Sequence, residues 1–312
     1  MTAGIPMFEY QQRHRFFAQV PGGMEELGVD ELIELKARNV SAGYRGVYFE
    51  ADQVTLYRII YTSRLLTRVL APLESFQCHN ARYLYRRAKA IQWDHLFSPD
   101  QTFAVFANVS HSSIKHSQYA ALCLKDAIAD HFRDLHQRRP NVDRADPDAW
   151  ISLYIEKDQA TVGFDISGGS LHRRGYREES VEAPMQEVLA AAVIRLTGWD
   201  GSVPLYDPMC GSGTLLTEAL MVRCRIPSAL LRKRFGFERL PDFDKETWLS
   251  VKRGAEKQIC ELPEGLIAGS DLSQTAVEAA RANIRKLPSG EKVGLNVRDF
   301  REIEELRDRV IL

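Results

Sequence analysis

Nowhere in the 312 residues does an apolar run approach the roughly 18 residues that a membrane-spanning helix needs, so no membrane is expected as a partner. Residues 1–15 carry no apolar stretch of the kind found in a secretory signal. Cysteine is scarce. The five thiols, Cys78, Cys123, Cys210, Cys224 and Cys260, are odd in number, widely spaced and form no C-x-x-C pair. That argues against a disulfide framework or a thiolate zinc site, and for reduced thiols in a cytoplasmic protein. Histidine offers no metal pattern either: His111/His116 and His131/His136 miss the i, i+4 spacing of a helical zinc pair. Neither sign of charge is in excess. With a net charge of −1, any nucleic-acid surface must be a local basic patch on a neutral background.

What is present is the composition of a soluble globular protein, 45% hydrophobic and 27% charged. The length suits two domains or three small ones. Residues 1–14 read as disordered. Residues 15–20 read as a strand, 24–36 as an amphipathic helix, 44–50 as a strand, 54–61 as a helix and 65–70 as a strand. That β-α-β-α-β order predicts a small ferredoxin-like unit ending near Pro72. A second α+β unit follows: helix 81–91, strand 102–110, long helix 117–137, and a hairpin of 150–156 with 159–166. Residues 182–197 form an apolar helix leading into strand 203–206. A polar helix at 245–259, a strand at 265–271, a helix from Thr275 and a strand at 293–297 come next, and 309–312 starts a further strand.

The chain is organised around the end of strand 203–206, Leu205-Tyr206-Asp207-Pro208-Met209-Cys210-Gly211-Ser212-Gly213-Thr214, and the helical run that follows it. Glycines at a strand-to-helix turn let a ligand approach the backbone closely, and the new helix offers unpaired N–H groups to it. A dinucleotide fingerprint would carry a third glycine where Leu216 stands, which disfavours a nicotinamide dehydrogenase. A carboxylate at the strand end, Asp207, would repel a pyrophosphate but suits the ammonium and sulfonium of S-adenosyl-L-methionine. Asp271, at the end of the next strand after Gly269, is placed to accept ribose hydroxyls, or else to cap the following helix together with Ser273.

The string Asp207 to Thr214 resembles the first cofactor motif of the amino-group methyltransferases that act on RNA. Two flanking stretches, Asp165-Ile166-Ser167-Gly168-Gly169-Ser170-Leu171-His172-Arg173-Arg174-Gly175-Tyr176-Arg177 and Ala183-Pro184-Met185-Gln186-Glu187-Val188-Leu189, are similar to the approach segment of one bacterial family. These are the THUMP-domain methyltransferases that modify guanine N2 in 23S, large-subunit ribosomal RNA. The resemblance runs from about Arg15 to Leu312. It implies an α+β ferredoxin-like domain at 15–72 and a THUMP RNA-binding domain at 74–167. An α/β Rossmann-like, S-adenosyl-L-methionine-dependent methyltransferase domain would follow at 168–312. The cofactor-binding residues it implies are Asp207, Pro208, Cys210, Gly211, Gly213, Thr214 and Asp271, with Asp299 on the adenine amino group. Ribosomal RNA is the implied partner; a transfer RNA or another exocyclic amine remains open as the substrate.

Four basic clusters are candidates for RNA contact. Arg82, Arg86, Arg87 and Lys89 share one helix, with Tyr83 beside Arg86 for stacking, or are a solvated face. Arg138, Arg139 and Arg144 read as surface charge. Arg173, Arg174 and Arg177, around Gly175 and Tyr176, read as the best RNA-binding set, the bland alternative being pairing to Glu178, Glu179 and Glu182. Arg223, Arg225, Arg232, Lys233 and Arg234 lie in an insertion expected to shape the substrate mouth, or to serve folding. One element of the resemblance is missing. The catalytic Asn-Pro-Pro-Tyr-type motif follows the fourth strand in this fold, yet no Asn-Pro-Pro or Asp-Pro-Pro occurs anywhere. No catalytic residue is therefore assigned. The methyltransferase domain reads as C-terminally incomplete, awaiting a missing C-terminal segment or a partner chain. The rival reading is an RNA-binding protein without catalysis.

Overall fold

The computed structural model describes residues 7–178, 184–303 and 309–312. Residues 7–14 are ordered, contrary to expectation, because a short helix α1 (Glu9–Arg13) buries Tyr10 against Phe16. Then follow β1 (Arg15–Gln19), α2 (Glu25–Glu34), β2 (Arg38–Gly43), β3 (Gly46–Glu50), α3 (Gln53–Thr62), β4 (Arg68–Gln77), α4 (Ala81–Ala90), β5 (Phe103–Ser110), α5 (Ser117–His136), β6 (Ala149–Glu156) and β7 (Gln159–Asp165). Side-chain caps set two of the helix starts: Asp52 accepts from Thr55 N–H at 2.8 Å, and Asn80 from Tyr83 N–H at 2.9 Å.

All seven strands form one sheet, in the order β2-β3-β1-β4-β7-β6-β5. The hinge of this arrangement is β4. It pairs antiparallel with β1 through Arg68 to Leu70 and with β7 through Leu70 to Gln77. The stretch between Pro72 and Glu74, expected to separate two domains, is a bulge within one continuous strand. On β1 and β3 the residues Phe16, Ala18, Val47 and Phe49 enter the helix-covered core. Phe17 and Tyr48 face the other way and are half-buried.

Beyond the connection come α6 (Glu187–Leu196), β8 (Leu205–Asp207), α7 (Thr214–Arg223), α8 (Lys245–Glu256), β9 (Ile267–Asp271), α9 (Gln274–Ile284), β10 (Gly294–Val297) and β11 (Val310–Ile311). The four strands are parallel, in the order β10-β9-β8-β11. Parallel strands joined by helices place the strand-to-helix turns together at the carboxyl edge, where ligands bind in such sheets.

The insertion between α7 and β9 corrects an expectation. A helix that starts at the carboxyl edge ends at the amino edge, so this excursion departs from the side opposite the mouth. It leaves and returns at one point, where Cys260 N–H donates to the Cys224 carbonyl at 3.0 Å. Its aromatics then pack on α3: Tyr57 against Phe237 at 4.6 Å and Tyr61 against Trp248 at 5.2 Å between ring centres. Tyr61 donates to Glu256 at 2.8 Å and Tyr10 to Asp242 at 2.6 Å. Phe235, Phe237, Leu240 and Trp248 accordingly belong to the core of the N-terminal sheet. The insertion is a buttress, not part of the mouth.

Candidate cofactor site

At the carboxyl edge, Asp207 ends β8, Asp271 ends β9 and Asp299 follows β10. The turn from β8 into α7 is made by Gly211 (φ 52°) and Gly213 (φ 79°), a left-handed region costly for other residues. Gly213 also lies against α9, where an added Cβ would come within 3.0 Å of Ala280 and Ile284. The turn is tied to the next strand twice. Cys210 N–H donates to the Ser270 carbonyl at 2.9 Å, and Gly211 N–H to the Asp271 carboxylate at 2.9 Å. The other oxygen of Asp271 accepts from Ser273 N–H at 2.9 Å, while Ser273 itself caps α9. Each carboxylate oxygen keeps a second acceptor direction for a ligand hydroxyl.

Asp207 is the unusual member. It is 4% exposed, accepts one hydrogen bond from Met209 N–H at 3.0 Å, and has no salt-bridge partner among the described residues. Burial, with the charge of nearby Asp271 adding to it, pushes its carboxyl up to about 6. Cys210, also buried beside these carboxylates, is pushed up to about 12 and is a packed thiol, not a nucleophile. Asp299 is turned toward Arg301, which forks across both its oxygens, and that pairing holds its carboxyl down at about 2. Arg301 is itself exposed, so a ligand amine at Asp299 would compete with it for the carboxylate.

An apolar rim adjoins the carboxylates, formed by residues that carry no signal in the sequence alone. Met209, Leu272 and Phe300 stand 65%, 69% and 53% exposed at the same edge, each immediately beside a residue of the carboxylate set or its turn. Exposed large apolar side chains flanking a polar cleft are the available signal for such a rim.

Two of the arginines expected to contact RNA are internal instead. Arg174 is 2% exposed, paired with the buried Glu218 of α7 at 3.3 Å, and donates to the carbonyls of Leu171 and Arg64. A side chain so enclosed reaches no phosphate; it pins the helix behind the glycine turn. Arg177 pairs with Glu187 at 3.1 Å and donates to Thr214 Oγ1 at 3.1 Å, fixing the first residue of α7. Tyr176 between them is buried. Arg173 alone of this set is exposed. The alternative partners Glu179 and Glu182 lie outside the described residues, as does Ala183, and Glu178 pairs with Lys286. On α4, Arg86 is exposed and lies over the Tyr83 ring at 5.0 Å, whereas Arg87 is tied to Glu74 and lies over Phe76. Arg232 serves folding: its guanidinium donates to the carbonyls of Ser167, Gly168, Gly169 and Ser170.

Comparison with known proteins places these features. Three family profiles match: an RlmL ferredoxin-like domain over residues 15–70, a THUMP domain over 78–165, and an RMKL-like methyltransferase domain over 174–312. A Synechocystis sp. protein named as an RNA methyltransferase is 38% identical over 289 residues, covering 93% of this chain and 75% of that one. The chain belongs to the THUMP-domain RNA methyltransferases. Another relative of this methyltransferase is the ribosomal RNA large subunit methyltransferase K/L of Aliivibrio salmonicida. It is 36% identical over 93% of this chain, which spans 42% of the relative's length. Among solved structures, a methyltransferase crystallised with S-adenosylhomocysteine (SAH) superposes with a TM-score of 0.80 at 27% identity, over 94% of this methyltransferase and 78% of that chain.

Proposed function

We propose that this chain binds S-adenosyl-L-methionine at the carboxyl edge of its parallel sheet and serves methyl transfer to RNA in the cytoplasm, with guanine N2 of large-subunit ribosomal RNA as the target. The observation that carries the cofactor assignment is Asp207, a buried carboxylate beside a second carboxylate, with no cation of its own among the described residues. Such a group demands a positive ligand. The ammonium and sulfonium of the cofactor supply one, and a pyrophosphate would not. Asp271 is placed for the ribose hydroxyls, and Asp299, once released by Arg301, for the adenine amino group. Pro208, Cys210, Gly211, Gly213 and Thr214 shape the turn that the methionine end approaches. Leu272 and Phe300 offer apolar faces to the adenine ring.

When bound, the cofactor supplies a methyl group activated by the positive sulfur. The chain's own residues hold and orient it, and alignment of that kind supplies much of the rate of such transfers. The RNA assignment is supported by the THUMP profile and by the ribosomal relative's name, and the guanine target by the sequence resemblance. Exposed Arg173 and the Arg86–Tyr83 pair are the available phosphate and base contacts, with Arg87 joining them when it leaves Glu74.

Calorimetric titration of the 312-residue chain with S-adenosylmethionine and with NADH tests the cofactor. Binding of the first, lost in Asp207→Ala, is expected; tight NADH binding would overturn the assignment. Tritiated-methyl transfer by a form of the protein that carries the Asn-Pro-Pro-Tyr-type motif, to deproteinised ribosomal RNA and to transfer RNA, followed by nucleoside mass spectrometry, tests the target. N2-methylguanine in ribosomal RNA is expected, and label confined to transfer RNA or to adenine would replace that target.

A further inference from the structure

The sheet face opposite the helices is used neither by the core nor by the cofactor site. A groove of about 490 Å³ crosses it, passing from β3 over β1, β4, β7 and β6 to β5. That volume is within the range of small-ligand and nucleotide sites. One wall is a pair of rings on directly paired residues of β1 and β3, Phe17 and Tyr48, with centres 4.8 Å apart. Phe17 lies across Gly46, where any added Cβ would strike the ring, so the glycine is what seats this platform. The floor is low because Gly163 and the small Ser152 stand at its centre. The far wall includes Phe106, whose ring, with that of Trp150, clasps the Arg68 guanidinium at 4.8 and 4.6 Å.

Cations stand where a phosphate chain would run. Arg15 lies over the Tyr48 ring at 4.8 Å, and Arg45 lines the groove. Both are exposed, and neither is in an ion pair among the described residues. The one carboxylate among the groove's described lining residues, Glu156, is occupied by the Tyr154 hydroxyl at 2.8 Å. Flat aromatic faces on neighbouring central strands of a ferredoxin-like sheet, flanked by free arginines, are what unpaired bases need for stacking. A duplex keeps its base faces inside and cannot use them. The groove is also linked to the glycine turn. Gln186 lines it, the next residue Glu187 holds Arg177, and Arg177 reaches Thr214 at the start of α7.

We propose that this groove binds two or three unpaired nucleotides of the RNA substrate, stacking one base on Phe17 and another on Tyr48 as Arg15 swings off that ring to meet a phosphate, while Arg45 meets a second phosphate. This rests on the RNA-methyltransferase reading above. The groove holds the single-stranded neighbour of the target nucleotide and leads it toward the cofactor edge.

Fluorescence anisotropy with a labelled single-stranded RNA decamer and a blunt duplex of the same sequence tests this on the full chain. The single strand is expected to bind more tightly. Phe17→Ala and Tyr48→Ala are each expected to weaken it roughly 5- to 100-fold, from the measured worth of base–aromatic stacking, and Tyr48→Phe to bind as the parent does. Arg45→Ala is expected to lower the log–log salt slope by about 0.7, a slope the ring variants leave unchanged. Melting curves of each variant establish that it is folded. Unchanged single-strand affinity in both folded alanine variants, or an equal loss for the duplex, overturns the groove while leaving the RNA reading intact. A parent chain that binds neither RNA overturns the RNA reading itself.

Discussion

Asp207 carries a conflict that only a ligand resolves. Its carboxyl is held near 6, above the ordinary aspartate range, by burial and by Asp271. Protonation therefore favours the folded, cofactor-free protein. This stabilisation is complete below about pH 4, the ordinary aspartate pKa, and fades as the pH rises through 6. Asp207→Asn keeps the acceptor for Met209 N–H but cannot ionise. The cofactor-free variant is expected to melt roughly 2–5 °C above the parent at pH 8, with the gap closing toward pH 4, while its affinity for S-adenosylmethionine falls at least about tenfold. Scanning calorimetry at the two pH values measures the first and titration the second. A variant that melts below its parent at pH 8 would show that the carboxylate is already balanced by a cation. The neighbouring arginines teach the opposite lesson about legibility. Arg173, Arg174 and Arg177 are alike in sequence, and a basic cluster is visible there. Which of them is enclosed depends on Glu218 and Glu187, more distant partners that become neighbours only when α7 and α6 pack.

Elements with strong periodicity or a clear turn were readable: α3, α5, the β6–β7 hairpin and the glycine turn into α7 lie within a few residues of their expected places. Two strands were not. β2 has the burial of an exposed edge, with no alternation to betray it, and no strand is expected there from the sequence. β4 is expected over 65–70 only, because the apolar run ends before Pro72; a bulge between Pro72 and Glu74 lets the strand continue to Gln77. The cofactor edge was legible because its residues are local to strand ends. The apolar rim was not, because single exposed Leu and Phe residues carry no sequence signature. β8 and β9 meet at Gly269, where an added Cβ would lie 2.6 Å from Leu216 and 2.9 Å from the Asp207 carbonyl. Gly269→Ala is expected to cost about 1–3 kcal/mol in urea unfolding through overpacking. Cofactor affinity is expected to fall with it, since the displaced backbone carries Asp207. Loss of stability with unaltered affinity would mean that the strain relaxes away from the turn.

At the scale of the molecule, the cofactor half is not free-standing. The aromatic side of the insertion, Phe235, Phe237 and Trp248, is buried on α3 of the N-terminal sheet. Residues 174–312 produced alone would expose that surface, and are expected to aggregate. Co-production with residues 7–173 is expected to recover a soluble one-to-one complex, read by size-exclusion chromatography with light scattering. A monomeric, cofactor-binding 174–312 fragment would refute the buttress.

The closed neck of the insertion, Cys224 against Cys260, has a consequence for descent. An excursion that departs and rejoins at one hydrogen bond can be lengthened, shortened or exchanged without disturbing the strands on either side. Its outer end enjoys no such licence, because Phe237 and Trp248 fit Tyr57 and Tyr61 ring against ring. Lineages of this protein would thus drift only at the exposed positions of the loop, and change Ser228, Arg232 and the aromatic tip in step with the N-terminal half they touch. Inherited variation there would record a bargain between two ends of the same gene.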